Sequence, residues 1–242
     1  MSLLAVDSLT RRFAGLVAVK DVSFSVASGS ITALIGPNGA GKTTCFNLIA
    51  GALAPSSGSI EFAGRSTVGL PPEQICARGV ARTFQIVRPL AGLTVLENVM
   101  VAALVRERAV PAARVRAQAV LERLGLARKA DAPAADLTLP ERKLLEVAKA
   151  LATRPRLLLL DEVMAGLRPT EAARITEVVR ELRAEGLTVL LIEHVMRVVM
   201  AIADTVIVLH HGEKIAEAEP AAIAIDPRVV ECYLGNLRKR RG

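Results

Sequence analysis

Nine consecutive residues at positions 36–44 read GPNGAGKTT and combine small, basic and hydroxyl side chains. The glycines let backbone N–H groups close around phosphate oxygens without obstruction by a Cβ. The lysine can reach the β- and γ-phosphates of a nucleotide, and the following threonine hydroxyl can ligate Mg²⁺. We therefore predict a phosphate-binding loop for a nucleoside triphosphate. Its residues are Gly36, Pro37, Asn38, Gly39, Ala40, Gly41, Lys42, Thr43 and Thr44.

The segments on either side of this loop are apolar. Residues 31–35 suit a buried strand, and residues 45–50 continue with helical periodicity. A strand, a glycine-rich loop and a helix in this order are the context that such a loop requires. The dipole at the start of the helix also favours an anion there. The alternative, a glycine-rich turn that merely precedes a helix, is disfavoured because all three parts are present in order.

Two adjacent carboxylates end a second apolar run, LLLLDEV, at residues 157–163. A fully buried strand that ends this way places both acids at its carboxyl edge, where ligands of parallel sheets bind. We predict that Asp161 ligates Mg²⁺ together with Thr43, and that Glu162 is the general base for an attacking water. An acidic helix start stabilised by the helix dipole is the alternative interpretation.

The composition is that of a globular protein with a substantial core. The chain has 242 residues, 52% of them hydrophobic and 23% charged, which excludes a disordered chain. No uncharged apolar stretch approaches the ~20 residues that span a bilayer. The first residues lack the pattern of a secretory signal, so we expect a cytoplasmic protein. The three cysteines, Cys45, Cys76 and Cys232, have no metal-ligand spacing and are expected to be reduced.

The formal net charge of +7 does not by itself select a partner. The chain contains five Phe, one Tyr and no Trp, and basic patches interleaved with aromatic residues are missing, so a nucleic acid is disfavoured. The basic residues 238–241 could lie against phospholipid head groups. A solvated tail is the preferred interpretation.

The order of predicted elements indicates an α/β fold. Strand-like runs near the amino terminus predict an antiparallel flank. Residues 94–124 have helical spacing with a break at Pro111. From about residue 140 onward, helices alternate with strands, which we predict at residues 156–160 and 188–192. That alternation favours a parallel core sheet with right-handed crossovers. We predict one domain, with a core in residues 1–90 and 154–242 and a helical subdomain in about 91–153.

With its glycine-rich loop at residues 36–44 and its acidic strand end at Asp161 and Glu162, the chain resembles the ATPase subunits of ABC transporters along nearly its whole length. Phe13 matches the aromatic residue that stacks on adenine in that family, and Gln85 in ARTFQ matches the residue that contacts Mg²⁺ and the membrane subunit. His194 in LLIEHVM matches the histidine that contacts the γ-phosphate. Taken alone, Phe13 could be a core aromatic residue, Gln85 a surface amide and His194 a helix cap. The pair His210 and His211 is interpreted as surface structure.

The resemblance implies ATP and Mg²⁺ as cofactors, and catalytic roles for Glu162, His194 and Gln85. The resemblance is weakest at the family's signature motif. This motif usually reads LSGGQ, and it aligns here with LTLPE at residues 137–141. Thr138 keeps a hydroxyl for the γ-phosphate held by the opposite subunit, but both glycines are lost. The spacing of Thr138 and Glu141 predicts a capping box at a helix start. Arg168 stands where the family usually has Asp in the next loop.

An intact phosphate loop with an altered signature suggests a heterodimer of two ABC ATPase subunits with unequal sites. The segment 82–103 and the ending DPRVVECYLG most resemble ATPases of branched-chain amino-acid importers of the LivG type. That resemblance implies docking on two membrane permease subunits at the cytoplasmic face of the inner membrane, with a periplasmic solute-binding protein as an indirect partner. A lipopolysaccharide-export ATPase and a weakly hydrolysing structural subunit are the alternatives.

Overall fold

The computed structural model describes residues 2–84 and 89–238. The strands are β1 (Ser2–Phe13), β2 (Leu16–Ala27), β3 (Ile31–Ile35), β4 (Ser57–Phe62), β5 (Arg65–Ser66), β6 (Val80–Arg82), β7 (Leu157–Asp161), β8 (Thr188–Ile192), β9 (Thr205–His210) and β10 (Glu213–Ala218). The helices are α1 (Lys42–Ile49), α2 (Pro72–Arg78), α3 (Val95–Ala103), α4 (Val110–Arg123), α5 (Leu139–Ala152), α6 (Pro169–Ala184), α7 (Met196–Ile202), α8 (Pro220–Ile225) and α9 (Pro227–Arg238).

The strands form two sheets. An antiparallel sheet has the order β2-β1-β4-β5, and a six-stranded sheet has the order β10-β9-β3-β8-β7-β6. Strands β9, β3, β8, β7 and β6 are parallel to one another, and only β10 runs antiparallel to its neighbour β9. Leu34 of β3 and Asp161 of β7 both pair with Ile192 of β8. The three central strands therefore end at nearly the same level.

The core sheet is buried on both faces because its central strands are apolar throughout, as expected for parallel strands between two layers. Alternate residues of β7 point to opposite sides. Leu158 and Leu160 join a cluster with the helices α3 to α6. Leu157 and Leu159 join a second cluster with α1 and the antiparallel sheet, in which Phe46 is fully buried.

Helices α3, α4 and α5 form the helical part of the molecule. They pack against the core through residues such as Val99, Leu121 and Leu145. Thr94 starts α3 with a capping box, since its hydroxyl accepts the N–H of Glu97 at 3.2 Å and its own N–H donates to that carboxylate at 2.8 Å. The predicted break at Pro111 falls in the first turn of α4, where a proline is tolerated.

The predicted α/β fold with a mixed core sheet, an antiparallel flank and a helical part is confirmed. Residues 31–35 and 188–192 form strands with the predicted bounds, whereas the strand expected at 156–160 is shifted by one residue and includes Asp161. The three cysteines are free thiols. Across the described ranges, every helix is too short or too polar to cross a bilayer.

We expect the substitution Leu159→Ala to lower the free energy of unfolding by about 2–5 kcal/mol, because it leaves a cavity between the two sheets. Val115→Ala on α4 is the matched control, since Val115 is 67% exposed and a surface change of this kind costs within about 0.5 kcal/mol. Urea unfolding of the purified chain measures both values. Equal losses in the two variants would contradict the assigned core.

Candidate nucleotide-binding and catalytic site

The phosphate loop lies between β3 and α1, as the sequence predicted. Two of its glycines are required by their surroundings. Gly36 has φ 147°, and a Cβ there would lie 2.1 Å from the carbonyl oxygen of Leu209. Gly41 has φ 101°, and a Cβ there would lie 2.4 Å from the carbonyl oxygen of Ala18. Any other residue would force neighbouring backbone apart and distort the loop.

The ammonium group of Lys42 lies inside the loop. This residue is 5% exposed, and its Nζ donates to the carbonyl oxygens of Gly36 at 2.8 Å and Pro37 at 3.1 Å. Burial lowers the pKa of Lys42, and the nearby charges of Glu162 and Asp161 oppose that change. The geometry thus holds a cation among backbone groups, close to both predicted carboxylates.

Asp161 is buried beneath the loop, with 1% exposure. Its Oδ2 accepts a hydrogen bond from Arg82 Nη2 at 2.8 Å, and its backbone N–H donates to the Thr83 hydroxyl at 3.1 Å. Burial raises the pKa of Asp161, while Arg82 opposes that change. The other carboxylate oxygen, Oδ1, has no hydrogen-bond partner among the described residues. A buried, unpaired carboxylate oxygen is the donor that Mg²⁺ prefers.

Glu162 and His194 meet at the carboxyl ends of β7 and β8. Nε2 of His194 donates to Oε1 of Glu162 at 2.8 Å. Glu162 has φ 49°, a left-handed conformation that costs a residue with a Cβ about 1–3 kcal/mol. Three contacts hold this backbone: its N–H donates to Ile192 O at 2.9 Å, and its carbonyl oxygen accepts from Ala165 N at 3.2 Å and Lys143 Nζ at 3.1 Å.

Lys42, Glu162 and His194 line one open cleft of about 930 Å³. Phe13 contributes an aromatic ring that is 38% exposed, and the guanidinium of Arg11 lies 4.6 Å from its centroid. His211 also lines this cleft, although the sequence suggested only a surface role for it. The lining residues are Phe13, Leu16, Val17, Ala18, Asn38, Gly39, Ala40, Gly41, Lys42, Thr43, Thr44, Glu162, His194 and His211.

Of the predicted site residues that the structure describes, Gly36, Pro37, Asp161 and Thr138 do not line this cleft. Gln85 lies outside the described residues. Thr138 starts α5, where its N–H and its hydroxyl both donate to the Glu141 carboxylate at 2.9 Å. The predicted capping box is therefore present, and the N–H of Thr138 is the main cause that lowers the pKa of Glu141. The Thr138 hydroxyl is directed to an acid of its own helix.

The sequence analysis missed several charged residues around the carboxylates. Arg82 stands in ARTFQ, three residues before Gln85, and this proximity was the available signal. The structure places it at the end of β6. Lys143 and Glu193 are 5% and 2% exposed. Oε1 of Glu193 accepts the N–H of Met164 at 2.9 Å, and burial is the main cause that raises the pKa of Glu193 to about 7. Nothing in the local sequence distinguishes either residue from a surface charge.

The family model described as "ABC transporter" matches residues 19–165, which contain the phosphate loop and both carboxylates. The chain belongs to the ABC transporter family. One relative is the "High-affinity branched-chain amino acid transport ATP-binding protein LivG" of Salmonella typhimurium, with 42% identity over 96% of this chain and 98% of LivG. The chain is accordingly an ATP-binding cassette, the ATPase unit of such a transporter.

Solved structures of this family have the same fold. An ATP-binding cassette of an ABC transporter in its ADP conformation has a TM-score of 0.89 and 33% identity, and the match covers 97% of this chain and 99% of that one. A bacterial ABC transporter cassette solved as a dimer has a TM-score of 0.82 and 25% identity, with 90% and 98% coverage. The agreement extends over both sheets and the helical part.

We expect Glu193 to make folding stability depend on pH. The unfolded chain releases this proton near the ordinary pKa of 4.5, whereas the folded chain retains it up to about 7. Because the folded state then binds more protons, stability decreases as pH rises through this window, by roughly 1 kcal/mol per pH unit. Glu193→Gln removes that contribution, and Glu181→Gln, at an exposed position of α6, leaves it in place. Urea unfolding at several pH values would refute this expectation if all three chains gave the same slope.

Proposed function

We propose that this chain hydrolyses ATP as a peripheral subunit of a membrane importer for branched-chain amino acids or related small solutes. The hydrolytic part of this proposal rests on one observation. At one edge of the sheet the structure brings together Lys42, Asp161 and the Glu162–His194 pair. Similarity to LivG along nearly the whole chain supports the solute class and favours an importer over lipopolysaccharide export.

The cleft has the parts needed to hold ATP. The loop residues 36–44 present backbone N–H groups and the helix start of α1 to the phosphates, and Lys42 supplies positive charge. Phe13 is the proposed stacking surface for adenine, with Arg11 over its ring. His211 is positioned to contact the same nucleotide.

Magnesium is proposed to bind between the loop and β7. Oδ1 of Asp161, which has no hydrogen-bond partner among the described residues, and the exposed hydroxyl of Thr43 are its protein ligands, with Gln85 as a further expected ligand. When bound, this ion would supply positive charge against the negative charge that develops during phosphoryl transfer. Arg82 holds the other Asp161 oxygen, so the carboxylate is oriented before ligands arrive.

Glu162 is proposed to orient the attacking water and accept its proton, because its side chain lines the cleft beside the phosphate loop. The hydrogen bond from His194 fixes the direction of the carboxylate. His194 lines the same cleft and is the proposed contact for the γ-phosphate. The left-handed backbone of Glu162 sends its side chain into the cleft while Asp161 stays buried.

A second ABC ATPase subunit is proposed as the partner that closes the cleft. The signature segment of this chain, beginning at Thr138, lies outside its own cleft and would face ATP bound to the partner. The segment has few hydrogen-bond donors for that phosphate, because the Thr138 hydroxyl already donates to Glu141 and Pro140 has no N–H. A heterodimer whose other subunit has the better signature would therefore contain unequal sites.

The membrane partners are proposed to be two permease subunits, with a periplasmic solute-binding protein delivering the solute. The segment of residues 85–97 is the expected contact for a permease. Closure around ATP at the cleft would then be transmitted to the membrane subunits.

Affinity purification of the chain from detergent-solubilised native membranes tests the whole assignment. Co-purification of two permeases and a second ATPase, identified by mass spectrometry, supports an importer. Lipid-export components or only soluble partners would contradict the importer assignment and leave the ATP site unaffected.

For hydrolysis, we expect Glu162→Gln to reduce phosphate release by the assembled transporter about 10²–10⁴-fold, the usual contribution of general base catalysis. Binding of ATP should persist because Lys42 and the loop are unchanged. Glu181→Gln is the matched control for loss of one carboxylate.

The same measurement tests the unequal sites. Replacing the corresponding glutamate of the partner subunit should change turnover much less than Glu162→Gln, because that site is completed by the altered signature of this chain. Turnover that survives Glu162→Gln unchanged would contradict both the assigned base and the asymmetry.

A further inference from the structure

A second recess, of about 380 Å³, lies at the opposite edge of the six-stranded sheet. Arg156 and Leu187 line it and come directly before β7 and β8, whereas the residues of the nucleotide cleft follow the ends of those strands. Leu3, near the start of β1, also lines it. The two clefts therefore share no residue and lie at opposite ends of the strands.

Positive charge dominates this recess. Four arginines line it, and Glu185 is the single carboxylate among the described lining residues. The four are Arg116, Arg123, Arg154 and Arg156. Glu185 is engaged by the fork of Arg123, with Nη1 at 2.7 Å from its Oε2.

The remaining arginines are only partly compensated. Arg154 pairs with Glu107. Within the described part of the chain, Arg116 and Arg156 form no ion pair with a carboxylate. The Arg156 guanidinium instead lies 5.7 Å from the Phe62 ring centroid. Two guanidinium groups on the wall of the recess thus form no ion pair within the described chain.

Arg116 shows the electrostatic consequence. Its Nη2 donates to Leu151 O at 2.8 Å, but its buried Nε has no hydrogen-bond partner among the described residues. Burial lowers the pKa of Arg116, and the charges of Arg154 and Arg123 lower it further, against an opposing effect of Glu107. An anion that binds between these arginines would reduce the repulsion between their positive charges.

We propose that this recess binds an oxyanion of the phosphate class, held mainly by Arg116 and Arg156. Guanidinium groups match phosphate oxygens with paired, charge-assisted hydrogen bonds. Such an anion would bridge α4 of the helical part to the segment before β7 in the core. The inference is independent of the proposed transport function, because it uses none of the nucleotide-site residues.

The test is calorimetric titration of the full chain with inorganic pyrophosphate, in saturating ADP so that the phosphate loop is occupied. Chloride of equal ionic strength is the background. We expect one binding event whose affinity falls at least about tenfold in the double variant Arg116→Gln/Arg156→Gln, since two charge-assisted contacts are removed. Arg114→Gln, at an exposed position of the same helix outside the recess, should bind like the unchanged chain. Circular dichroism verifies that both variants are folded.

A second arm separates a free phosphate compound from a lipid head group. The same chains are sedimented with phosphatidylcholine vesicles that contain or lack phosphatidylglycerol. Arginine-dependent binding of pyrophosphate alone identifies a soluble ligand, and arginine-dependent sedimentation with the anionic vesicles alone identifies a lipid. Arginine-dependent binding in both arms supports a phosphate site that accepts either source. No binding in either arm, or equal binding by the double variant, overturns the proposal.

Discussion

The parallel pairing of β3, β8 and β7 is the constraint on which the rest of the structure depends. Leu34 and Asp161 are both in register with Ile192. Gly36 begins the phosphate loop two residues after Leu34, Glu162 follows Asp161, and His194 lies two residues after Ile192. A shift of one residue in either pairing would exchange the two faces of a strand and separate these groups. The buried leucines of both core clusters resist such a shift.

This strand pairing gives the two adjacent carboxylates, Asp161 and Glu162, different surroundings. Asp161 remains within the strand and is buried against Arg82, whereas Glu162 turns into a left-handed backbone and reaches His194. Lys143 donates to the Glu162 carbonyl from α5, the helix that begins with the signature segment. Burial lowers the pKa of Lys143. The neighbouring carboxylates oppose this change, and Glu193 has the largest opposing effect. The strained residue is thus held by contacts from both the core and the helical part.

The signature segment illustrates a compromise between helix stability and ligand binding. The capping box of Thr138 and Glu141 satisfies the start of α5, and Pro140 suits a first helical turn. The same features engage the hydroxyl and remove an N–H that a phosphate would otherwise receive. Leu139 remains 47% exposed there. The local sequence therefore favours a stable helix start over groups free to donate to an anion.

The α/β class, the glycine-rich loop between strand and helix, the acidic strand end and most strand positions follow from the sequence alone, because local periodicity and short motifs carry that information. The resemblance to ABC transporter ATPases also indicated Phe13 and His194. Tertiary packing was needed to bring Arg82, Lys143 and His211 near these groups, since each comes from a different part of the chain, and to bury Glu193 beside His194. It likewise brought together four arginines spread over residues 116–156. Contacts between distant segments depend on packing and register, and no local pattern encodes them.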